Sequence, residues 1–268
     1  MTDALKRFSA PISSAAWNAI DDAAAAVLRA RLSARSVVDF VGPLGWETDA
    51  IGLGRAKLVD KGAVGTPAWG ARQSLPLIEV RIPFILKLSE LENIERGAKD
   101  VDLAPLEDAA KAMAAFEEKS LYSGLSKAGI TGILEAADAK PITVAAQPEA
   151  VVDAVAGAIA QLRENDIDGP YAFVGGTKAF GVLSRIVPGG GTVNRVVEQM
   201  TGMAPAWTPA VAGAAIVSAR GGDYELSVGQ DMAVGYAKHD AEKIELYLVE
   251  TFTFRVIEPR AAVEIKFK

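Results

Sequence analysis

The chain has 268 residues, of which 50% are hydrophobic and 23% are charged; its formal net charge is −6 and it contains no cysteine. This length can bury a sizeable core in one large domain or two moderate ones, and the charged fraction is that of a folded protein, which argues against disorder. The acidity argues against a general nucleic-acid binder, and the lack of cysteine excludes disulfides, thiolate metal sites and a cysteine nucleophile.

The N-terminal region predicts a helix and no targeting segment. No apolar run reaches the length of a membrane span or of a signal-peptide core, so we expect a soluble, cytoplasmic protein with no membrane partner. Residues 14–32 carry apolar side chains at helical spacing, which predicts an amphipathic helix with Ser14 as its N-cap.

Residues 45–86 have a different sequence pattern from the predicted helix before them, because glycine and proline interrupt short β-prone runs. Strands and turns fit this segment better than helices, and we predict a long two-stranded excursion. Such a ribbon is only marginally stable alone and has to lean on another surface. The strongest helix signal follows at residues 102–122, with Asp102 as a cap and Gly124 as the stop.

The second half mixes helices and strands. Helices at residues 148–162 and about 177–185 flank a strand at 171–174, and Thr192 is placed to cap a helix that ends at Met200.

The C-terminal part is predicted to be β. Strands at residues 214–219 and 224–228 flank Gly221-Gly222, which predicts a two-residue hairpin, and two more strands follow at 243–256 and 262–267. The predicted fold class is therefore α+β.

Few residues offer chemistry, and we expect no catalytic residue and no metal site. The single histidine, His239, lies in a polar segment without a nucleophile elbow elsewhere, which predicts a surface turn. Glu117 and Glu118 are adjacent and lack a Glu-x-x-His partner motif, which favours a solvated or intersubunit face. Gly175-Gly176 lacks the spacing of a phosphate loop and favours a tight strand-to-helix turn.

Sequence blocks in order along essentially the whole chain together resemble the encapsulin (linocin-like) family. They include Gly42-Pro-Leu-Gly-Trp-Glu47, Leu75-Pro-Leu-Ile-Glu-Val-Arg81 and Gly229-Gln-Asp-Met-Ala-Val-Gly-Tyr236. The resemblance implies the tailed-phage major capsid fold of the Hong Kong type, with a peripheral domain, an axial domain and an extended E-loop. The implied segments are 1–45 (a lumen-facing helix and the start of the peripheral domain), 46–80 (E-loop), 81–136 (peripheral domain with the spine helix), 137–219 (axial domain) and 220–268 (return to the peripheral domain).

The function that the resemblance implies is that of a shell subunit and not of an enzyme. About sixty copies would close into an icosahedral T=1 cage. The cage would enclose a cargo enzyme that carries a C-terminal targeting peptide, such as a ferritin-like protein or a dye-decolourising peroxidase, and would serve bacterial iron storage or defence against oxidative stress. Small solutes would enter through symmetry pores.

The resemblance also places two sites. A cargo-peptide groove between the N-terminal helix and the terminal β region would contain Leu28, Arg35, Asp39, Asp231, Met232 and Tyr236. A five-fold pore loop would contain Pro188, Gly189, Gly190, Gly191 and Thr192.

One position departs from some relatives, which have a tryptophan associated with flavin stacking where this chain has Ser89. A serine offers no aromatic face, so we expect no flavin and no other cofactor. Two alternatives stay open at this point. One is a hydrolase or bacteriocin-like protein, and the other is a phage major capsid protein, which shares the fold.

Overall fold

The structure is a computed structural model that describes residues 4–187 and 191–268. Its helices are α1 (Ser14–Arg29), α2 (Leu88–Glu95), α3 (Ala104–Ser123), α4 (Ile133–Ala136), α5 (Pro148–Glu164), α6 (Thr177–Leu183) and α7 (Val193–Thr201). Its strands are β1 (Asp39–Val41), β2 (Ala50–Asp60), β3 (Trp69–Pro76), β4 (Ile78–Lys87), β5 (Ile142–Val144), β6 (Tyr171–Gly175), β7 (Ile186–Val187), β8 (Gly191–Thr192), β9 (Ala206–Trp207), β10 (Ala214–Ser218), β11 (Tyr224–Val228), β12 (Ala233–His239), β13 (Lys243–Val256) and β14 (Ala262–Phe267). The predicted α+β class is confirmed.

The first sheet is organised around the long strand β13, at the position predicted from the sequence. Antiparallel β4 pairs along one edge of β13, while β12 and β11 share the other edge, and β1 extends the sheet beside β11. Helices α1 and α3 pack on this sheet through a core that includes Ile20, Leu106 and Met113, all with no exposed area. This sheet and its two helices position the candidate groove.

The second sheet has the order β5-β14-β10-β6-β9. Helix α5 packs on it with buried Val155, Ala158 and Leu162, and α6 and α7 complete this layer. The last strand, β14, pairs with β10 and β5, so the chain ends in the second sheet although β11 to β13 belong to the first. The division into five segments stays a prediction.

The predicted hairpin at Gly221-Gly222 is wrong. Strand β10 pairs with β6 and β14 in the second sheet, whereas β11 pairs with β1 and β13 in the first. Both glycines have φ of +83°, a left-handed backbone that glycine adopts without steric cost, so the pair forms the link between the two sheets.

Helix ends follow the predicted chemistry with small displacements. Ser13, and not Ser14, is the N-cap of α1, because the Ser13 hydroxyl accepts a hydrogen bond from the Ala16 amide. Asp102 accepts a hydrogen bond from the Ala104 amide, although Leu103 holds the cap position of α3. Thr192 caps α7 as predicted, through a hydrogen bond from the Arg195 amide.

Strands β2 and β3 form the predicted two-stranded excursion. Within the described residues they pair only with each other, and β4, which follows them, belongs to the first sheet. Four large apolar side chains of this ribbon are more than half exposed: Leu58, Val59, Val64 and Trp69. A ribbon without a second layer cannot bury these groups within one subunit.

Candidate functional site

An open groove of about 360 Å³ lies between the last turns of α1 and the turn that precedes β12. Its lining combines apolar side chains with charged ones at one end: Ala25, Leu28, Arg29, Leu32, Arg35, Asp231 and Met232. The α1 residues repeat at intervals of three and four, which places them on one face of the helix. The same spacing could have added Ala25, Arg29 and Leu32 to the groove residues proposed from the family resemblance.

The structure brings together four of the six residues predicted for the groove: Leu28, Arg35, Asp231 and Met232. Tyr236 lies further along β12, where its hydroxyl is 2.6 Å from Nδ1 of His239. Asp39 begins β1 and its Oδ2 accepts a hydrogen bond from the Gly222 amide at 2.6 Å, so it fixes the link between the sheets. Asp39 and Tyr236 do not line this groove.

The charged end of the groove is a cluster of one guanidinium and three carboxyls. Arg35 donates from Nε and Nη2 to the two oxygens of Glu117, at 3.0 and 2.5 Å. It also donates from Nη2 to Glu250 at 2.8 Å and from Nη1 to Asp231 at 3.0 Å. The side chains of Glu117 and Glu250 have no exposed area, while that of Asp231 is 40% exposed. Asp231 is therefore the carboxyl of the cluster that faces the groove, beside Arg35.

The prediction that Glu117 and Glu118 form a solvated or intersubunit face is wrong. Glu117 binds Arg35, and Glu118 accepts hydrogen bonds from the Ser33 hydroxyl and the Ala34 amide, so both carboxyls are buried. Adjacent residues on α3 thus hold one short segment, residues 33–38, from two sides. The physical reason is that each carboxyl has a polar partner far away in the sequence, which offsets the cost of its burial.

Burial and mutual charge shift the titration of this cluster. Burial alone would lower the pKa of Arg35, but its hydrogen bonds with Glu117 and the attraction of Glu117, Glu250 and Asp231 outweigh burial and raise it. Burial, and then repulsion by Glu117, raises the pKa of Glu250 well above its ordinary value. Burial also raises the pKa of Glu118, against the hydrogen bonds from Ser33 and Ala34. The guanidinium stays charged, while Glu250 favours its neutral form.

The predicted pore loop is only partly covered. Pro188, Gly189 and Gly190 lie outside the described residues. Gly191 pairs with Val187 in the short β7–β8 ribbon, and Thr192 is exposed at the start of α7. These placements leave the pore assignment a prediction.

The remaining sequence signals have structural explanations. His239 is exposed and is the last residue of β12, bonded to the Tyr236 hydroxyl. A Cβ at Gly176 would collide with the Val211 carbonyl oxygen, so close packing accounts for this glycine.

In the part of the chain that the structure describes, no three histidine or acidic side chains are grouped as metal ligands. None of the described helices has both the length and the apolar character of a membrane span.

Ser89 is exposed in the first turn of α2 and lines a cavity of about 310 Å³. The other lining residues are Lys87, Leu88, Glu92, Ala241, Glu242 and Lys243, so no aromatic ring lines this cavity among the described residues. Nothing in this lining supplies the stacking surface that an isoalloxazine ring would need. The expectation that no flavin binds stays a prediction.

Comparisons with known proteins show which family has this architecture. The sequence pattern of the family described as "Encapsulating protein for peroxidase" matches residues 1–253. The Type 1 encapsulin shell protein of Rhodospirillum rubrum is 40% identical over 98% of this chain and 96% of its own length. The Type 1 encapsulin shell protein of Mycobacterium tuberculosis is 35% identical over 97% of this chain and 98% of its own length.

Two solved structures show the fold. The virus-like particle from Pyrococcus furiosus superposes with a TM-score of 0.64 at 16% identity, over 92% of this chain and 98% of its own. The capsid protein of Myoviridae phage XM1 superposes with a TM-score of 0.56 at 14% identity, over 88% of this chain and 91% of its own. The predicted capsid fold is therefore confirmed, and the sequence matches decide between shell and phage relatives. The chain belongs to the encapsulin shell-protein family.

Proposed function

We propose that this chain is the shell subunit of an encapsulin nanocompartment that takes up a cargo enzyme by binding its C-terminal peptide in the groove beside α1. The cage would be an icosahedron of T=1 type with about sixty copies. The observation that carries this proposal is the groove, which joins an apolar wall of Leu28, Leu32 and Met232 to the half-exposed carboxylate of Asp231.

Assembly follows from the β2–β3 ribbon. Its exposed side chains include Leu58, Val59 and Trp69, and each is more than half accessible in the isolated subunit. Burial of a large apolar side chain stabilises by roughly 1.5–3 kcal/mol, so covering the exposed half contributes about 1 kcal/mol per residue. One such contact is modest, but it is repeated at every interface of a closed cage. The ribbon thus supports homo-oligomer formation.

The dimensions of the groove suit a short peptide. Two or three aliphatic side chains can enter it, and their burial supplies most of the affinity. Asp231 offers a polar contact that fixes the register of the peptide, because its Oδ2 has no hydrogen-bond donor among the described residues. A shallow site of this kind binds weakly by itself, and occupancy of many sites in one cage raises retention.

The cargo we propose is an oxidative or iron-handling enzyme, a dye-decolourising peroxidase or a ferritin-like protein. This part of the proposal rests on the family description, which names a peroxidase. Confinement in the cytoplasm, with small solutes entering through symmetry pores, would then serve iron storage or protection from peroxides. Neither nucleic acid nor a membrane is part of this proposal.

A matched pair of variants on α1 tests the groove. Ala25 is half-buried and lines it, whereas the next residue, Ala26, is exposed. Ala25→Phe fills the groove with an aromatic ring, and Ala26→Phe places the same ring in solvent. We expect Ala25→Phe cages to retain less than about a tenth of the co-expressed peroxidase, consistent with the loss of one or two buried aliphatic groups. Equal loading of both variants would refute the groove as the cargo site.

The cargo tail provides the complementary arm of the experiment. Co-expression of a peroxidase or ferritin-like protein with its C-terminal tail intact should give loaded cages, and removal of the tail should give empty ones. Loading that does not depend on the tail would show that another part of the cargo binds the shell.

A further inference from the structure

The charged base of the groove contains more buried negative charge than its one cation can balance. Glu117 and Glu250 have no exposed side-chain area, and both bind the same guanidinium, that of Arg35. If both carboxyls were ionised, one buried negative charge would have no counterion. An unpaired buried charge costs several kcal/mol, and a protein avoids that cost by taking up a proton.

The hydrogen bonds indicate which oxygen carries the proton. Both oxygens of Glu117 accept from Arg35, and Oε1 of Glu250 accepts from Nη2 of Arg35. Oε2 of Glu250 is fully buried and has no hydrogen-bond donor within the described chain. A carboxylate oxygen in that position would be unsatisfied, whereas a carboxylic O–H can donate to the neighbouring carboxylate. The same nitrogen, Nη2 of Arg35, donates to Glu117 at 2.5 Å and to Glu250 at 2.8 Å, so the two carboxyls are neighbours, and hydrogen bonding with Glu117 is one of the causes that raise the pKa of Glu250.

We infer that Glu250 carries a proton that it donates to Glu117, and that loss of this proton to a base in solvent releases the Arg35 segment from the wall of the groove. Residues 33–38 form this segment, which joins α1 to β1 and includes buried Ala34, Val37 and Val38. Arg35 anchors it to α3 through Glu117 and to β13 through Glu250. Glu117 and Glu250 are thus positioning residues that act on the groove through Arg35.

Three charged groups surround Glu250, and each comes from a different part of the chain packed against it. The segment itself provides Arg35, α3 provides Glu117, and the turn before β12 provides Asp231. Glu118, on the neighbouring position of α3, holds Ser33 and Ala34 at the other side of the segment. Arg35 is the only cation among them, so ionisation of Glu250 adds repulsion from Glu117 and Asp231 that the guanidinium cannot fully offset.

The direction of the pH effect follows from linkage. In the closed state Glu250 binds a proton, and in an opened, solvated state it has the ordinary pKa of a glutamate, about 4.3. Above that pH the closed state holds one proton more than the opened state, so rising pH favours opening by about tenfold per pH unit until Glu250 ionises in place. Looser binding of cargo at alkaline pH is a consequence that rests on the proposed function. The release of residues 33–38 on loss of the Glu250 proton does not rest on it.

The absence of cysteine from the chain permits a direct measurement of opening. Val37→Cys places one thiol in the buried segment, and Asn18→Cys places a reference thiol on the exposed side of the second turn of α1, beyond the helix N-terminus that would lower its pKa. The ratio of their maleimide-labelling rates, measured on assembled protein between about pH 5 and pH 8, removes the effect of thiol ionisation. We expect the ratio to rise about tenfold per pH unit over part of this range.

Three glutamine variants in the Val37→Cys background decide where the proton lies. Glu250→Gln mimics the protonated side chain and should make the ratio independent of pH, and Glu117→Gln should do the same if Glu250→Gln does not fold. Glu118→Gln is the matched control: the pKa of Glu118 is also raised, so this variant removes the part of the slope that Glu118 contributes but leaves the part that Glu250 contributes. Three results would overturn the inference. The labelling ratio could be independent of pH in the Val37→Cys protein itself, its slope with pH could survive Glu250→Gln, or the slope could be lost only in Glu118→Gln. Since no cargo is used, these outcomes are separate from a failure of cargo loading.

Discussion

The substitution Arg35→Met tests whether the charged cluster holds the subunit together. Methionine keeps most of the apolar length of the side chain but removes the guanidinium. The carboxyl of Glu117 then has no cation, and Glu250 loses the donor to its Oε1. Removing one partner of a buried ion pair costs about 3–5 kcal/mol, because the charge that stays behind is uncompensated.

This loss translates into a large change in melting temperature. One kcal/mol corresponds to about 2–4 °C for a domain of this size class, so we expect the Tm of Arg35→Met to fall by roughly 6–20 °C. Tryptophan fluorescence during heating measures this shift, at one fixed protein concentration because assembly makes Tm depend on concentration. Arg96→Met is the control: the Arg96–Glu92 pair is exposed on both sides, and exposed pairs contribute little.

The fall in Tm caused by Arg35→Met should also depend on pH. Without the guanidinium the pKa of Glu250 lies even higher in the folded state than in the native protein, whose Glu250 pKa is already raised by burial and by Glu117. The folded variant then holds more protons than the unfolded chain, so its stability falls as pH rises above about 4.3. The Tm deficit of Arg35→Met should therefore be larger at pH 8 than at pH 5. A Tm within about 2 °C of the native protein at both pH values would refute the reasoning.

Other features give sharp expectations. Gly124 ends α3 at φ +84°, and a Cβ there would meet the Glu135 carboxylate. Gly124→Ala should therefore destabilise the protein by about 1–3 kcal/mol in thermal unfolding. Gly181 lies on α6 with open space around it, so Gly181→Ala is the control and should stabilise the protein slightly. The Tyr224 hydroxyl is buried without a partner among the described residues; Tyr224→Phe should raise Tm or leave it unchanged, and a clear drop would reveal a missing hydrogen bond. Purified cages should be colourless, because Ser89 gives no stacking face, and a stoichiometric flavin absorbance band would contradict this.

Local signals predicted the elements whose ends depend on nearby residues. The long strand β13 and the Thr192 cap of α7 follow from alternation and from a hydroxyl at the right position, and both occur where they were expected. Gly124 stops α3 because its backbone, with φ +84° and ψ 167°, is one that glycine adopts without steric cost. These features need no knowledge of distant contacts.

Non-local contacts were beyond the reach of the sequence pattern. Gly221-Gly222 has the composition of a hairpin, but the partners of its flanking strands come from other parts of the chain, and pairing decides the sheet. Glu117 resembles a solvated helix residue because its counterion, Arg35, is 82 positions away. The family resemblance located Leu28 and Arg35 at one groove; only the fold shows that Arg35 is also the anchor of a buried cluster.

Electron microscopy of the purified recombinant protein by negative staining tests the central claim most directly. Among the described residues of its own subunit the β2–β3 ribbon has no second layer, and the proposed cage would supply one from another copy. The account predicts uniform hollow particles of one diameter, with the ribbon of each subunit protected from proteolysis. A protein that stays monomeric at high concentration in mild buffer, with its ribbon open to protease, would contradict it.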